Sequence, residues 1–336
     1  MNEIFLLQTG QYNINVPGKV GTPHISEQIY QILELLFIST FWLLQLVYYI
    51  GESIYLKIYK PAPKSVEGEI VLITGTGHGI GKQLALQYAG AGATVVGWDI
   101  NKENNDETIK EINQRFKNKA YGYICNVANR ENVLETAKKV QEDVGDVTIF
   151  IANAGIMPCH LLEEHSANEI QRIIDINVMQ IFWLLEAFLP SMKKNNYGHI
   201  VGISSIAGLG GFPNLVPYCA SKFAVRGLLE SLHEELRTDK KCNIKTTTVF
   251  PYMVDTGLCK NPRIKFDLFM KMIQPEEVAE CVMMAQRREE LLVSIPGYLI
   301  NLQNFVRLCP PKAQMKLIDL LDSGIDSDLI REPVKN

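Results

Sequence analysis

An apolar run, Ile70-Val71-Leu72-Ile73-Thr74, leads straight into Gly75-Thr76-Gly77-His78-Gly79-Ile80-Gly81, with a helical pattern behind it. This feature constrains the fold most. Four glycines in seven residues permit a tight turn and a close backbone approach, and the helix opening near Gly79 presents free N–H groups and a positive dipole end at its start. A strand, a glycine turn and a helix in that order begin a parallel βαβ unit.

The remaining chain repeats the alternation. Strands are expected at Ile70–Thr74, Thr94–Trp98, Tyr121–Cys125, Val147–Ala152, His199–Ile203, Ile244–Phe250 and Leu291–Ile295, with helices between them. Glu131–Val144 and Tyr218–Thr238 carry the clearest amphipathic period. Seven β-rich runs separated by helices predict an α/β fold, a doubly wound, parallel, seven-stranded Rossmann sheet. The expected organisation is a leader over 1–64, one catalytic domain over 65–310, and a C-terminal helix and acidic tail over 311–336. The tail Asp319–Asp328 reads as a solvated end.

The leader contains a hydrophobic helix expected at about 29–59. Its core, Leu35 to Gly51, is 17 residues without a charge, at the short limit for a membrane span. Tyr48, Tyr49, Tyr55 and Tyr59 gather at its far end and Lys57, Lys60 and Lys64 follow, which places the large domain on the cytosolic side. The bland alternative is a helix that packs on the domain or on a partner subunit. Pro61-Ala62-Pro63-Lys64 reads as a linker, and residues 1–25 as loosely ordered. Net charge is −4 with only short lysine pairs, which argues against nucleic-acid binding. Seven cysteines without paired spacing predict free thiols. No metal site is expected; His160 beside Cys159 reads as a loop pair.

Three further residues carry chemistry. Tyr218 precedes Lys222 by four positions, one helical turn, and Ser205 lies thirteen positions before Tyr218. A phenol titrates near 10, so an ammonium and a cationic cofactor ring nearby are expected to lower it and make it an acid/base at a carbon bearing oxygen. Ser205, past the strand ending at Ile203, can donate to a substrate oxygen; it could equally cap the next turn. Asp99 ends the second strand, 24 residues after Gly75. A carboxylate there accepts from ribose hydroxyls and repels a 2′-phosphate, so NAD is expected over NADP. A helix cap is the alternative for Asp99, and Asn101 could take that job.

With these residues the chain resembles the short-chain dehydrogenase/reductase family over roughly residues 68 to 300. The hydrophobic leader, Gly68–Gly75 and Trp98-Asp99-Ile100-Asn101-Lys102 are similar to one subgroup, the epidermal retinol dehydrogenases and lipid-droplet 17β-hydroxysteroid dehydrogenases. The resemblance implies a catalytic set of Asn177, Ser205, Tyr218 and Lys222, with Asn177 holding a water that joins the lysine to solvent. It implies cofactor contacts from Gly75, Gly79, Ile80, Gly81, Asp99, Asn126, Val127, Asn153, Tyr218, Lys222, Val254 and Thr256. It further implies a lipophilic alcohol as substrate, a homodimer, and residence at the endoplasmic reticulum or lipid droplet. Three positions depart from the family pattern. Ala152 replaces the first asparagine of Asn-Asn-Ala-Gly, Asn126 replaces an aspartate, and Tyr252 replaces the glycine after Pro251. Leu258–Ile273, with Phe266, Leu268, Phe269, Met270, Met272 and Ile273, reads as a mobile apolar lid or a membrane-facing helix, and Met157, Leu209, Phe212 and Leu215 as cleft lining. A non-catalytic membrane scaffold on the same fold is the rival reading; the intact Ser205/Tyr218/Lys222 set counts against it.

Overall fold

All seven expected strands form and pair in parallel. They are β1 (Ile70–Thr74), β2 (Thr94–Asp99), β3 (Ala120–Ile124), β4 (Ile149–Ala152), β5 (Gly198–Ile203), β6 (Ile244–Pro251) and, after a short β7 (Pro262–Arg263), β8 (Leu292–Ile295). The computed structural model describes residues 25–117, 119–266 and 271–329. The sheet order is β3-β2-β1-β4-β5-β6-β8, and a two-residue β9 (Gly324–Ile325) pairs antiparallel with β7. The chain winds outward from β1 through β2 to β3, returns to β4, and then winds the other way. The reversal therefore lies between β1 and β4, where helices part and leave a crevice at the strand ends.

Side chains alternate across each strand and feed two apolar layers. Val71 and Ile73 face a cluster with Leu84, Tyr88, Val278 and Val282, from the helices Gly79–Gly90 and Pro275–Arg287. Leu72, Val96, Trp98 and Phe150 face the opposite cluster with Val133, Phe188 and Leu229. Trp98 and Phe150 both pack on Phe188, with ring centroids 6.0 and 6.3 Å away. Burial on both faces explains why these strands read as near-continuous apolar runs.

The described chain divides into two units between Pro61 and Ala62. The first contains one helix, Ile25–Ile58, of 34 residues. Its apolar side chains are exposed along its length, Phe37, Trp42, Leu44 and Val47 among them. The expected helix at about 29–59 forms, around an uncharged run that by itself rises about 25 Å. The helix continues past that run at both ends, and its apolar portion Gln28–Leu56, 29 residues, rises about 43 Å, enough to cross a membrane. Ala167–Asn195 passes the same test of length and apolarity, but Ile173, Ile181, Leu184 and Phe188 place its apolar face in the core.

The acidic C-terminal segment is not a solvated end. After the helix Pro311–Leu321 the chain turns at Asp322 and runs back across the second unit. Arg263 pairs with Asp322 at 2.6 Å, Gly324 and Ile325 pair with Arg263 and Pro262, and Asp328 accepts from the Cys159 N–H at 3.2 Å. The acidic composition suggested solvent because the partners of those carboxylates lie 59 to 169 residues away in the chain. Residues 1–24 and 330–336, and with them the expected loose N-terminus, lie outside the described residues.

His199, on β5, is 5% exposed and bonds Thr247 Oγ1 at 2.8 Å and Gln286 at 3.3 Å. Burial pushes its pKa down to about 4. The unfolded imidazole takes a proton near 6.5 while the folded one resists it, so this contribution is complete above pH 6.5 and is lost as pH falls from 6.5 towards 4. We expect about 3 kcal/mol of acid-side destabilisation from this residue. Urea midpoints measured from pH 7 to pH 4 should fall less steeply for His199→Gln than for the wild-type chain.

Candidate active site

The turns after β1 and β4 meet in the crevice. Gly75 has φ +77°, and a Cβ there would stand 3.1 Å from both Ala154 Cα and Asn153 Nδ2. At Gly81 a Cβ would stand 1.9 Å from the Gly75 carbonyl oxygen, and at Gly79 (φ +59°) 3.0 Å from Thr256 Cγ2. Thr74 ties the two turns together. Its hydroxyl accepts from the Asn153 and Ala154 N–H groups, both at 3.0 Å, and donates to Gln180 Oε1 at 3.0 Å. Asn153 Nδ2 donates to the Thr74 carbonyl at 2.9 Å. The amide missing at Ala152 therefore leaves this junction intact.

Asp99 lies at the end of β2, half-buried at the rim. Its Oδ2 accepts from the Gly77 N–H at 2.8 Å and its Oδ1 from the Asn101 N–H at 2.8 Å. Asn101 caps the helix Lys102–Arg115 through the Asn104 N–H, which leaves Asp99 free of that task. Gly77 was not singled out from the sequence; its role is visible only because the turn folds onto the carboxylate, where a Cβ would sit 2.9 Å from Asp99 Oδ2. Asn126 is exposed, and its side-chain oxygen accepts from the Ala128 N–H at 3.1 Å. Gly75, Gly79, Ile80, Asp99, Asn126, Val127, Asn153, Val254 and Thr256 all line one cleft that continues to Ser205, Tyr218 and Lys222. Gly81 lies behind the lining, as does Asn177.

The helix Val216–Thr238 carries Tyr218 and Lys222 on one buried face, 6% and 4% exposed. Lys222 Nζ donates to the Ile203 carbonyl at 2.9 Å and stands 5.5 Å from the centre of the Tyr218 ring. Burial lowers the Lys222 pKa to about 8. Burial also raises the Tyr218 pKa to about 12, opposed by a hydrogen bond with Ser205. The expected lowering joined the lysine to a cationic cofactor ring, and the lysine alone does not produce it. The ammonium is itself desolvated and directed at a carbonyl, so in the protein alone desolvation wins. Ser205 both caps the short 3₁₀ turn Ile206–Gly208, accepting from the Ala207 N–H at 3.2 Å, and reaches Tyr218. The capping reading is therefore borne out, with the hydroxyl also within reach of Tyr218.

Asn177 sits in a π-helical turn, Asp175–Met179, between the helical segments Ala167–Ile174 and Gln180–Asn195. Nothing in the local sequence signals this turn, which commonly marks functional positions. Its amide exchanges two hydrogen bonds with Ile156, at 2.9 and 3.0 Å, and donates to Ser221 Oγ at 3.0 Å. A Cβ at Gly155 would lie 3.3 Å from Asn177 Oδ1 and 3.7 Å from Lys222 Nζ, so both residues border the same glycine.

Met157, Phe212 and Leu215 line the cleft together with Leu258 and Cys259. Leu209 does not; it is buried, and its carbonyl accepts from Gln303 and Arg307. Phe266 is 40% exposed, while Ile273 is buried against the sheet core. Leu268, Phe269 and Met270 lie outside the described residues. His160 pairs with His165 and Glu169 rather than with Cys159: both imidazoles bond one carboxylate oxygen, at 2.8 and 2.6 Å, and the rings stack. Sequence spacing missed this cluster because the loop path alone brings 160 and 165 together. Those contacts are tighter than the roughly 3.3 Å between ligand atoms around a tetrahedral ion with bonds of about 2.0–2.1 Å.

A family model described as short chain dehydrogenase matches residues 69–265. Short-chain dehydrogenase/reductase family 16C member 6 of Bos taurus is 40% identical over 79% of this chain and 84% of its own. Epidermal retinol dehydrogenase 2 of Mus musculus is 37% identical over 80% of this chain and 87% of its own. The 17-beta-hydroxysteroid dehydrogenase 13 of Homo sapiens is 37% identical over 82% of this chain and 90% of its own. With a parallel seven-stranded sheet and a serine, a tyrosine and a lysine gathered at its crevice, the chain belongs to the short-chain dehydrogenase/reductase family.

Proposed function

We propose that the protein is an NAD-dependent dehydrogenase that interconverts a lipophilic alcohol, of retinoid or steroid type, and its carbonyl. One observation carries the reading: Ser205, Tyr218 and Lys222 share a cleft with the glycine turn and Asp99, and the rest of that cleft is lined by Met157, Phe212, Leu215 and Leu258. The crevice fits a dinucleotide. The turn folds tightly because side chains at Gly75, Gly79 and Gly81 would strike Ala154, Thr256 and the Gly75 carbonyl; the helix Gly79–Gly90 opens towards the crevice, and Asp99 offers carboxylate oxygens at the rim. Bound there, a nicotinamide would supply the hydride acceptor or donor.

The chain's own residues handle the proton. With a pKa near 12 the Tyr218 phenol holds its proton at neutral pH, which suits a donor to a carbonyl oxygen. Abstraction from an alcohol needs further positive charge in the cleft, which favours the phenolate. Lys222 holds one such charge on the same helix face, and Ser205 offers a hydroxyl to the substrate oxygen. Asn177 positions the loop at Ile156 and the helix at Ser221, and is proposed to hold the water that links Lys222 to solvent. The names of the retinol and hydroxysteroid relatives support an apolar substrate, as does the apolar lining.

Tyr218→Phe is expected to lower turnover of an accepted lipid alcohol at least 10²- to 10⁴-fold, with NAD binding by fluorescence titration nearly unchanged. Wild-type turnover in that variant would overturn the assignment. Asp99→Ala is expected to narrow the ratio of NAD to NADP efficiency, each tenfold step corresponding to about 1.4 kcal/mol. A wild-type preference for NADP would contradict the reading of Asp99.

The helix Ile25–Ile58 is proposed as an anchor in the lipid of the endoplasmic reticulum or lipid droplet, where apolar alcohols are concentrated, with the catalytic unit on the cytosolic side. Its continuous 34 residues favour a tilted helix over a hairpin. After alkaline carbonate extraction the full chain should stay with membranes, and a chain starting at Lys64 should not.

A further inference from the structure

Residues 322–328 lie beyond the family match, which ends at 265. They nevertheless complete the cleft. Ile325 is 7% exposed, belongs to the apolar cluster of Met157, Cys159, Tyr252 and Met253, and lines the cleft itself.

The segment is fastened to each of the loops that carry the apolar lining. The loop after β4, with Met157, is joined by Cys159 and Asp328, whose backbones bond at 2.6 Å. The loop before the catalytic helix, with Phe212 and Leu215, is joined by Asn214 Nδ2, which donates to the Ile325 carbonyl at 3.0 Å. The loop after β6, with Leu258 and Cys259, is joined three ways. The β7–β9 pair bonds its backbone, Arg263 pairs with Asp322 and Asp326 at 2.6 and 3.5 Å, and Asn261 Nδ2 donates to the Ser327 carbonyl at 3.1 Å. Tyr252 adds a tether that glycine could not make: its hydroxyl lies 2.6 Å from Ser323 Oγ.

We propose that Asp322–Asp328 is a strap that forms the substrate-side wall of the cleft, and that Ile325 determines how long an apolar substrate the cleft accepts. This rests on the reading of the cleft as the site of a lipophilic alcohol. Three loops converge on one buried side chain, so its volume subtracts directly from the space they enclose. A strap of purely structural role would hold the loops without affecting selectivity.

The test uses the full-length, NAD-loaded enzyme and a series of straight-chain primary alcohols from hexanol to tetradecanol. Both kcat/KM and calorimetric binding are measured. Ile325→Ala should move the preferred length roughly two methylenes longer and Ile325→Phe shorter, with about fourfold in affinity for each methylene accommodated. Arg263→Ala, which releases two ion pairs of the strap, should shift the profile in the same direction as Ile325→Ala. A profile that falls in height but keeps its optimum in all three variants overturns the wall and leaves a structural strap. Binding that shifts with Ile325 while no alcohol is turned over supports the wall and refutes the dehydrogenase reading. A wild-type enzyme that binds none of the series refutes both.

Discussion

The turns after β1 and β4 approach so closely that a side chain on the first would displace the backbone of the second. Gly75 tolerates the approach, its positive φ aims the turn, and the Thr74 hydroxyl bonds both sides of the junction. The rest of the site hangs on this contact. It sets the opening of the helix Gly79–Gly90 over the crevice, brings Gly77 onto Asp99, and places Gly155 against Asn177 and Lys222. Because the sheet reverses its winding between these two strands, no helix covers the junction, and the free N–H groups remain available to an anion.

At the other end of the cleft desolvation governs the chemistry. Tyr218 and Lys222 are both buried, and burial alone pushes the phenol towards holding its proton and the ammonium towards losing it. The first shift works against a phenolate base. Positive charge brought into the cleft would favour the phenolate and oppose the phenol's tendency. The Ile203 carbonyl keeps Lys222 oriented meanwhile, which is why the lysine does not simply follow the tyrosine.

Local pattern and tertiary context divide the remaining features. The strands, the glycine turn, and the spacing of Ser205, Tyr218 and Lys222 were all readable, since each follows from short-range periodicity or from a turn that only glycine allows. The π-turn at Asn177, the His160–His165–Glu169 clip and the role of Gly77 were not. Each depends on where a loop passes rather than on which residues it contains. The C-terminal segment misled for a related reason: acidic residues without nearby bases look solvated, yet Arg263 and the Cys159 N–H wait for them across the fold.

The sequence by itself determined the α/β architecture, the family and the glycine turn, because these rest on residue type at fixed separation along one strand or helix. Only the tertiary structure decided that the phenol is raised rather than lowered in the protein alone, and that the C-terminal segment closes the cleft. Burial and long-range pairing are properties of the folded surface, and no window of neighbouring residues encodes them.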